Sequence, residues 1–76
     1  MRKLVEFLVR ELVDDPDAVV VEESSDERGV LLTVHVGSDD MGKVIGRGGR
    51  TAKAIRSVVR AAATRRGTFA RVDIAD

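Results

Sequence analysis

Hydrophobic residues recur along the chain with two different spacings, and these spacings predict the elements. Residues 3–13 (KLVEFLVRELV) place apolar side chains three and four positions apart, which predicts an amphipathic helix. Asp14, Asp15 and Pro16 follow it. They are expected to end the helix, because the residue before a proline is pushed out of the α region.

Two valine-rich segments follow and predict a pair of strands. Residues 18–23 (AVVVEE) and residues 30–36 (VLLTVHV) are β-branched, and the polar stretch 24–29 (SSDERG) between them is typical of a turn. In the second strand, Val34 and His35 point to opposite faces. The short connection predicts an antiparallel hairpin.

The second half of the chain predicts two helices and a final strand. Asp39 and Asp40 are expected to cap a short helix formed by MGKVI, and residues 50–65 form the longest helix. Gly67 is expected to end this long helix, and the alternation in residues 69–75 (FARVDIA) predicts a third strand. The order of elements is therefore α-β-β-α-α-β.

Positive and apolar side chains lie on opposite faces of the long predicted helix. Lys53, Arg56 and Arg60 form a basic stripe that starts near Arg50, whereas Ile55 and several alanines lie opposite. The apolar face is expected to pack on the sheet. A basic stripe of this kind is often only a solvated surface, but here it begins beside a glycine-rich segment.

Length and composition indicate one small domain, residues 1–76. Apolar residues make up 43% of the chain and charged residues 34%, and there is no cysteine. This excludes disulfides and thiolate chemistry, and together with the absence of a membrane-length apolar run or signal-peptide pattern it favours the cytoplasm.

The net charge of zero hides a strong segregation of charge. Residues 1–40 contain four basic and eleven acidic residues, a net charge of −7, and residues 41–76 contain nine basic and two acidic residues, a net charge of +7. The second half is therefore a candidate surface for an anionic partner. Mutual neutralisation of the two halves is the alternative.

Three of the four residues 46–49 (GRGG), here called the glycine loop, are glycines between the two predicted helices. Glycine lets the backbone take positive φ and approach a ligand closely, and the first N–H groups of the next helix point outward. With Lys43, Arg47 and Arg50 nearby, the loop is typical of a phosphate-binding cradle. A tight corner between helices is the alternative, although one glycine would satisfy it.

Two common phosphate motifs do not fit this segment. A mononucleotide P-loop needs lysine and then serine or threonine after its last glycine, but Arg50 and Thr51 follow Gly49. The dinucleotide fingerprint needs a glycine at position 51 and a strand directly before the loop.

The segment VIGRGG (residues 44–49), followed by Ile55, resembles the signature of KH domains, in which a GXXG loop joins two helices. The element order is similar to the type II, prokaryotic arrangement. GKVIGRGGRTAKAIR (residues 42–56) is similar to the motif of small bacterial KhpA-type proteins, some of which carry lysine at the position of Arg47. The resemblance covers nearly the whole chain. It implies an α+β fold in which helices pack on one face of a three-stranded mixed sheet.

The resemblance also implies a function. KH domains hold about four nucleotides of single-stranded RNA, and in some cases DNA. The implied RNA-binding residues are Lys43, Val44, Ile45, Gly46, Arg47, Gly48, Gly49, Arg50, Lys53 and Arg56. The second strand is expected to form the other wall of the groove. Since Phe7 and Phe69 are the only aromatic residues, little base stacking is expected. A post-transcriptional regulator or RNA chaperone fits these expectations.

A second hypothesis is an adaptor that pairs with itself or with a larger KH protein, as the resemblance implies. Phe7, Val9, Val13 and Val58 are candidate interface residues, unless they complete the core. An enzyme is not expected, because the only histidine, His35, lies on a strand without a recognisable catalytic set. No catalytic residue, metal site or cofactor is predicted.

Overall fold

The elements follow the predicted order α-β-β-α-α-β. The computed structural model describes residues 1–75. It contains helices α1 (Arg2–Leu12), α2 (Met41–Ile45) and α3 (Arg50–Arg65) and strands β1 (Val20–Asp26), β2 (Gly29–His35) and β3 (Ala70–Ala75). Short 3-10 turns, Pro16–Ala18, Ser38–Asp40 and Arg47–Gly49, precede β1, α2 and α3.

The three strands form a mixed sheet in the order β1-β2-β3. β1 and β2 are antiparallel, as the hairpin pattern predicts, and Val21 lies opposite Val34. β2 and β3 are parallel, and Leu32 lies beside Val72. β2 is therefore the central strand, and β1 and β3 are the edge strands.

The helices cover one face of this sheet and enclose the core. Val5 and Val9 of α1 and Val59 of α3 are fully buried, together with Leu32 and Val34 of β2. Burying a side chain of this size contributes about 1.5–3 kcal/mol. The apolar face assigned to the long helix from its sequence is thus the face that packs. The fold is the α+β arrangement implied by the KH resemblance.

α1 ends within one residue of its predicted end, and a carboxylate distant in sequence holds the chain that follows it. The helix ends at Leu12, and Val13 is already extended, with φ −97° and ψ 159°. The backbone N–H groups of Asp14 and Asp15 donate hydrogen bonds to the carboxylate of Asp40, at 3.2 and 3.1 Å.

The prediction that Asp39 and Asp40 cap the short helix was therefore wrong. α2 begins after Asp40, but no side chain forms a capping hydrogen bond there. The two oxygens of the Asp40 carboxylate instead accept bonds from the chain that leaves α1. Asp40 joins two parts of the fold that are far apart in sequence.

The hairpin is longer and tighter than its sequence predicts. β1 begins at Val20 and continues through Asp26, so the predicted turn over residues 24–29 is reduced to Glu27 and Arg28. Pairing with β2 supplies the backbone hydrogen bonds that the polar residues 24–26 would otherwise lack. Asp26 Oδ1 also accepts a hydrogen bond from Arg28 N, at 2.7 Å, which stabilises the turn.

The long helix α3 ends as its sequence predicts. Gly67 has φ +71°, the N–H of Gly67 donates to Thr64 O, and the N–H of Thr68 donates to Ala63 O. This pair of bonds is the Schellman motif, which favours glycine at the left-handed position. No helix within residues 1–75 is both long enough and apolar enough to cross a membrane.

Candidate nucleic-acid interface

The glycine loop forms the corner between α2 and α3. Gly46 ends α2 with φ +76° and ψ 170°, and Gly48 and Gly49 have φ +65° and +79°. The loop is closed by backbone hydrogen bonds from Gly46 N to Gly42 O, 2.8 Å, and from Gly49 N to Gly46 O, 3.1 Å. Neither bond uses the N–H of Arg47 or Gly48.

The glycines of the loop have different surroundings. A Cβ atom on Gly46 would lie 2.8 Å from the backbone nitrogen of Thr51, which is closer than real Cβ atoms come to other atoms. A Cβ atom on Gly48 or Gly49 would meet nothing within 4 Å. Gly46 is therefore required by the corner itself, whereas the space beside Gly48 and Gly49 is open, with Gly48 exposed and Gly49 half-buried.

Three of the predicted cationic residues lie exposed around the loop. Arg47, Arg50 and Lys53 are exposed, and none forms an ion pair with a carboxylate of residues 1–75. Their positive charges are therefore not neutralised by direct pairing in this part of the chain. An open main chain beside unpaired cationic side chains is the arrangement that anion-binding sites use.

Lys43 is placed differently from the other cations. Its ammonium group donates a hydrogen bond to Asp14 and lies 3.7 Å from Asp40 Oδ1. The hydrogen bond to Asp14 is the main reason why the pKa of Lys43 is raised. Bonds from the N–H groups of Asp14 and Asp15, with the charge of Lys43, lower the pKa of Asp40 despite its burial. Lys43 thus contributes to the connection between α1 and α2.

Val44 and Ile45, the two predicted apolar site residues before the loop, differ in their exposure and therefore in their roles. Val44 has no exposed surface and lies in the core, so it supports the loop from inside and does not reach a ligand. Ile45 is 38% exposed and remains available at the surface. Only Ile45 of this pair therefore lies where a ligand could contact it.

A basic groove lies beside α3, beyond the first turns that follow the loop. It is lined by Arg56, Arg60, Ala70, Arg71 and Val72. Arg56 is half-buried at its base, and its Nε donates a hydrogen bond to Val72 O at 3.3 Å. β3 forms the side of the groove opposite the arginines of α3, with the backbone edge that does not pair with β2.

One wall of this groove is β3, and the expectation that the second strand lines the RNA-binding groove stays a prediction. β2 is paired on both sides, with β1 and with β3, so it has no free edge beside α3. Arg71 was consequently missed as a groove residue. Only the parallel pairing of β3 with β2 brings it there, and a single sequence gives no indication of that pairing.

His35 has no partner set that would support catalysis in the described residues. Its Nε2 lies 3.3 Å from Glu22 Oε1, without the alignment of a hydrogen bond. The two residues lie on the face of the sheet away from the helices. Within residues 1–75, no group of three or more histidine, cysteine, aspartate or glutamate residues is placed to hold a metal ion.

Comparison with known proteins identifies the family. A sequence model described as "KhpA/KhpB, KH domain" matches residues 2–74. The chain belongs to this KhpA/KhpB family. The resemblance carried by VIGRGG and by the order of elements is thereby confirmed.

Several members of the KhpA/KhpB family are similar over most or all of their length. A protein named RNA-binding protein KhpA from Halalkalibacterium halodurans is 53% identical over 76 residues, which is 100% of both chains. Proteins of the same name are 46% identical in Clostridium acetobutylicum, over 97% of this chain and 99% of that one, and 51% identical in Mycobacterium tuberculosis, over 95% and 86%.

Proposed function

We propose that the chain binds single-stranded RNA along one continuous surface, from the glycine loop into the basic groove. The observation that carries the proposal is the uncovered main chain of Gly48 and Gly49 beside Arg47 and Arg50, which have no carboxylate partner in residues 1–75. The names of full-length relatives support it.

In this proposal the loop binds the sugar-phosphate backbone and the groove holds the bases. The main chain of residues 46–49 contacts one phosphate, and Arg47, Arg50 and Lys53 neutralise its neighbours. Ile45 provides aliphatic contact for a base near the loop, and the free edge of β3 offers backbone hydrogen-bonding groups farther along. Arg56 and Arg60 hold the strand beside α3.

Binding of this type is weak and depends strongly on salt. Phosphate contacts release condensed counterions, so the logarithm of the affinity falls with the logarithm of salt by about 0.7 for each contact with a single strand. With few side chains placed to read base edges, sequence preference is limited. These properties suit a post-transcriptional regulator or an RNA chaperone in the cytoplasm.

The first prediction tests the loop directly. Replacing Arg47 and Gly48 together by aspartate puts negative charge where a phosphate would bind, and a Cβ atom at position 48 meets no neighbour. We expect the variant to remain folded by circular dichroism and to lose at least about tenfold in RNA affinity, equivalent to about 1.4 kcal/mol. A gel-shift titration with oligouridine at low salt measures the loss.

The matched control carries the same change in net charge at a distance from the loop. Lys3→Asp with Ser25→Asp also alters the charge by −3, at two exposed positions on α1 and β1. It should bind RNA much more tightly than the loop variant. Equal affinity of the two variants would show that net charge, and not the loop, governs binding, and would contradict the proposal.

A second candidate function is assembly through an apolar groove between α1 and α3. The groove is lined mainly by Phe7, Leu8, Leu12, Ala54, Ile55 and Val58. Phe7 is 61% and Val58 45% exposed, whereas Val9 is fully buried and belongs to the core. We propose that a second copy of the chain covers this groove, because it lies across α3 from the basic surface and leaves that surface free.

A further inference from the structure

Phe69 is the most exposed large apolar residue on the described molecule. Its side chain is 78% exposed and lies in a groove that continues the basic groove beyond the end of α3. Arg28, Arg60 and Arg71 line the same groove, which has a volume of about 500 Å³. An aromatic ring among three arginines is an unexpected arrangement in a chain with only two aromatic residues.

The backbone at Phe69 is held from two sides. On one side the Schellman motif fixes the end of α3 through the bond from Thr68 N to Ala63 O, 3.0 Å. On the other, Val30 N donates to Phe69 O at 2.8 Å. Gly29, with φ +113°, has no room for a side chain, because a Cβ atom there would lie 3.1 Å from Phe69 Cβ and still nearer Phe69 O.

The charge around the ring is positive despite one nearby carboxylate. Asp26 Oδ2 lies 3.3 Å from Arg71 Nη2, and Asp26 Oδ1 accepts the backbone N–H of Arg28. Neither the Arg28 nor the Arg60 side chain forms an ion pair within residues 1–75. The groove therefore combines an apolar ring with uncompensated positive charge, which matches a nucleobase and its phosphate better than an apolar peptide.

The distance between Phe69 and the glycine loop determines how long a nucleic-acid strand must be to contact both. The loop precedes α3 and Phe69 follows it, and a helix of 16 residues is ~24 Å long. The basic groove lies between the two ends, beside Arg56 and Arg60 of α3. A bound strand must therefore run the length of α3 to contact both.

We propose that Phe69 stacks on a base of the bound strand, and that Arg28 and Arg60, which have no carboxylate partner in residues 1–75, bind the adjacent phosphates. This second anchor rests on the proposed RNA-binding function and extends it along the strand. Stacking on an aromatic ring tolerates any base, so the anchor adds affinity for longer strands without adding sequence preference. The sequence alone predicted little base stacking, since Phe69 is one of only two aromatic residues. In this proposal, Phe69 sets the length of strand that the site binds.

The test compares short and long oligonucleotides on the full chain. A four-nucleotide oligouridine and one of about ten nucleotides are titrated against the wild type and Phe69→Ala. We expect the wild type to prefer the longer strand, and Phe69→Ala to weaken its binding by roughly 5- to 150-fold, the range for loss of one stacked base. Phe69→Ala should weaken the binding of the short strand much less than that of the long strand.

Stacking itself is read from 2-aminopurine, whose fluorescence is quenched when it stacks. Longer oligonucleotides labelled at one end or the other are bound to the wild type, and one of the two labels should be quenched. Phe69→Ala should abolish that quenching and Phe69→Trp should restore it. Val20→Ala, which removes another exposed apolar side chain, 52% exposed on β1, should leave it intact.

Failure of this inference is distinguishable from failure of the proposed function. If the Arg47 and Gly48 double variant loses RNA while Phe69→Ala binds long strands as tightly as the wild type, the second anchor is refuted and the loop stands. If the loop variant binds normally, the proposed function fails. An effect of Phe69→Ala on self-association with none on RNA would assign the ring to a protein contact and overturn the anchor.

Discussion

At the scale of single residues, the glycines near the loop look equivalent in the sequence but have different physical requirements. Gly46 has positive φ and also a neighbour, Thr51, packed against the place where a side chain would be. Gly48 has positive φ but open space. Gly42 lies in α2, without positive φ and without a close neighbour. Each should respond differently to the addition of one methyl group.

Alanine substitution separates these cases. We expect Gly46→Ala to reduce the free energy of unfolding by about 2–3 kcal/mol, because it combines backbone strain with a close contact. Gly48→Ala should cost about 1–2 kcal/mol from strain alone. Gly42→Ala should be neutral or stabilising by up to about 1 kcal/mol, because alanine favours helix. Urea unfolding measures all three, and equal losses at Gly46 and Gly42 would contradict the account of the corner.

At the scale of elements, α3 organises the molecule because it presents three different faces. Ile55 and Val59 pack in the core, and Arg56 and Arg60 line the basic groove. The third face carries exposed Val58 beside α1. Since a helix places residues at fixed angles, α3 presents a core face, a basic face and an apolar face, and Ile55 borders both the core and the apolar groove.

The third face gives a prediction about assembly. Val58→Asp puts a charge in the apolar groove, and a second copy could not cover it without burying that charge unpaired. We expect the variant to be monomeric at concentrations at which the wild type dimerises in sedimentation equilibrium. Val20→Asp, at a position 52% exposed on β1, is the control and should dimerise normally. A monomeric wild type would refute assembly through this groove.

At the scale of the whole molecule, the two oppositely charged halves do not neutralise each other by direct pairing. Of the nine cationic residues in positions 41–76, only Lys43 and Arg71 form ion pairs with carboxylates of residues 1–75. The Lys43 pairs, together with the Asp40 carboxylate, join the chain after α1 to the start of α2. The remaining cations are available to a ligand, and Asp40 connects distant parts of the fold.

The Asp40 connection predicts how stability depends on pH. The pKa of Asp40 is lowered by folding, so its contribution is present above the unfolded value of about 3.9 and is lost as the pH falls through the folded pKa. The pKa of Lys43 is raised, so its contribution is present below about 10.4 and is lost as the pH rises through its folded pKa.

Asp40→Asn tests this connection. Asparagine offers one acceptor oxygen and no charge, so the variant should be less stable than the wild type at neutral pH. Its free energy of unfolding should also fall less on acidification than that of the wild type. Urea unfolding between about pH 2 and pH 7 measures both effects. Asp39→Asn, at the exposed neighbouring position, should keep the acid dependence of the wild type. Parallel acid dependence in all three proteins would refute the role of Asp40.

The sequence alone determined what depends on neighbours along the chain. Helical spacing of apolar residues fixed α1 and α3, Gly67 fixed the end of α3, and the glycines of residues 46–49 marked the corner. The two faces of α3 also followed from its sequence, because a fixed angle per residue converts sequence spacing into direction. These features depend on residues that are close together in sequence, so they can be predicted from composition and periodicity.

Only the tertiary structure decided what depends on residues that are distant in sequence. The length of β1 follows from pairing with β2, and the chain after α1 is held by Asp40, some 25 residues away. The ion pair between Lys43 and Asp14 also depends on residues that are distant in sequence. So does the position of Arg71 and Phe69 beside α3. Each requires two segments to be brought together by burial of the shared core, and periodicity within one segment carries no information about its partner.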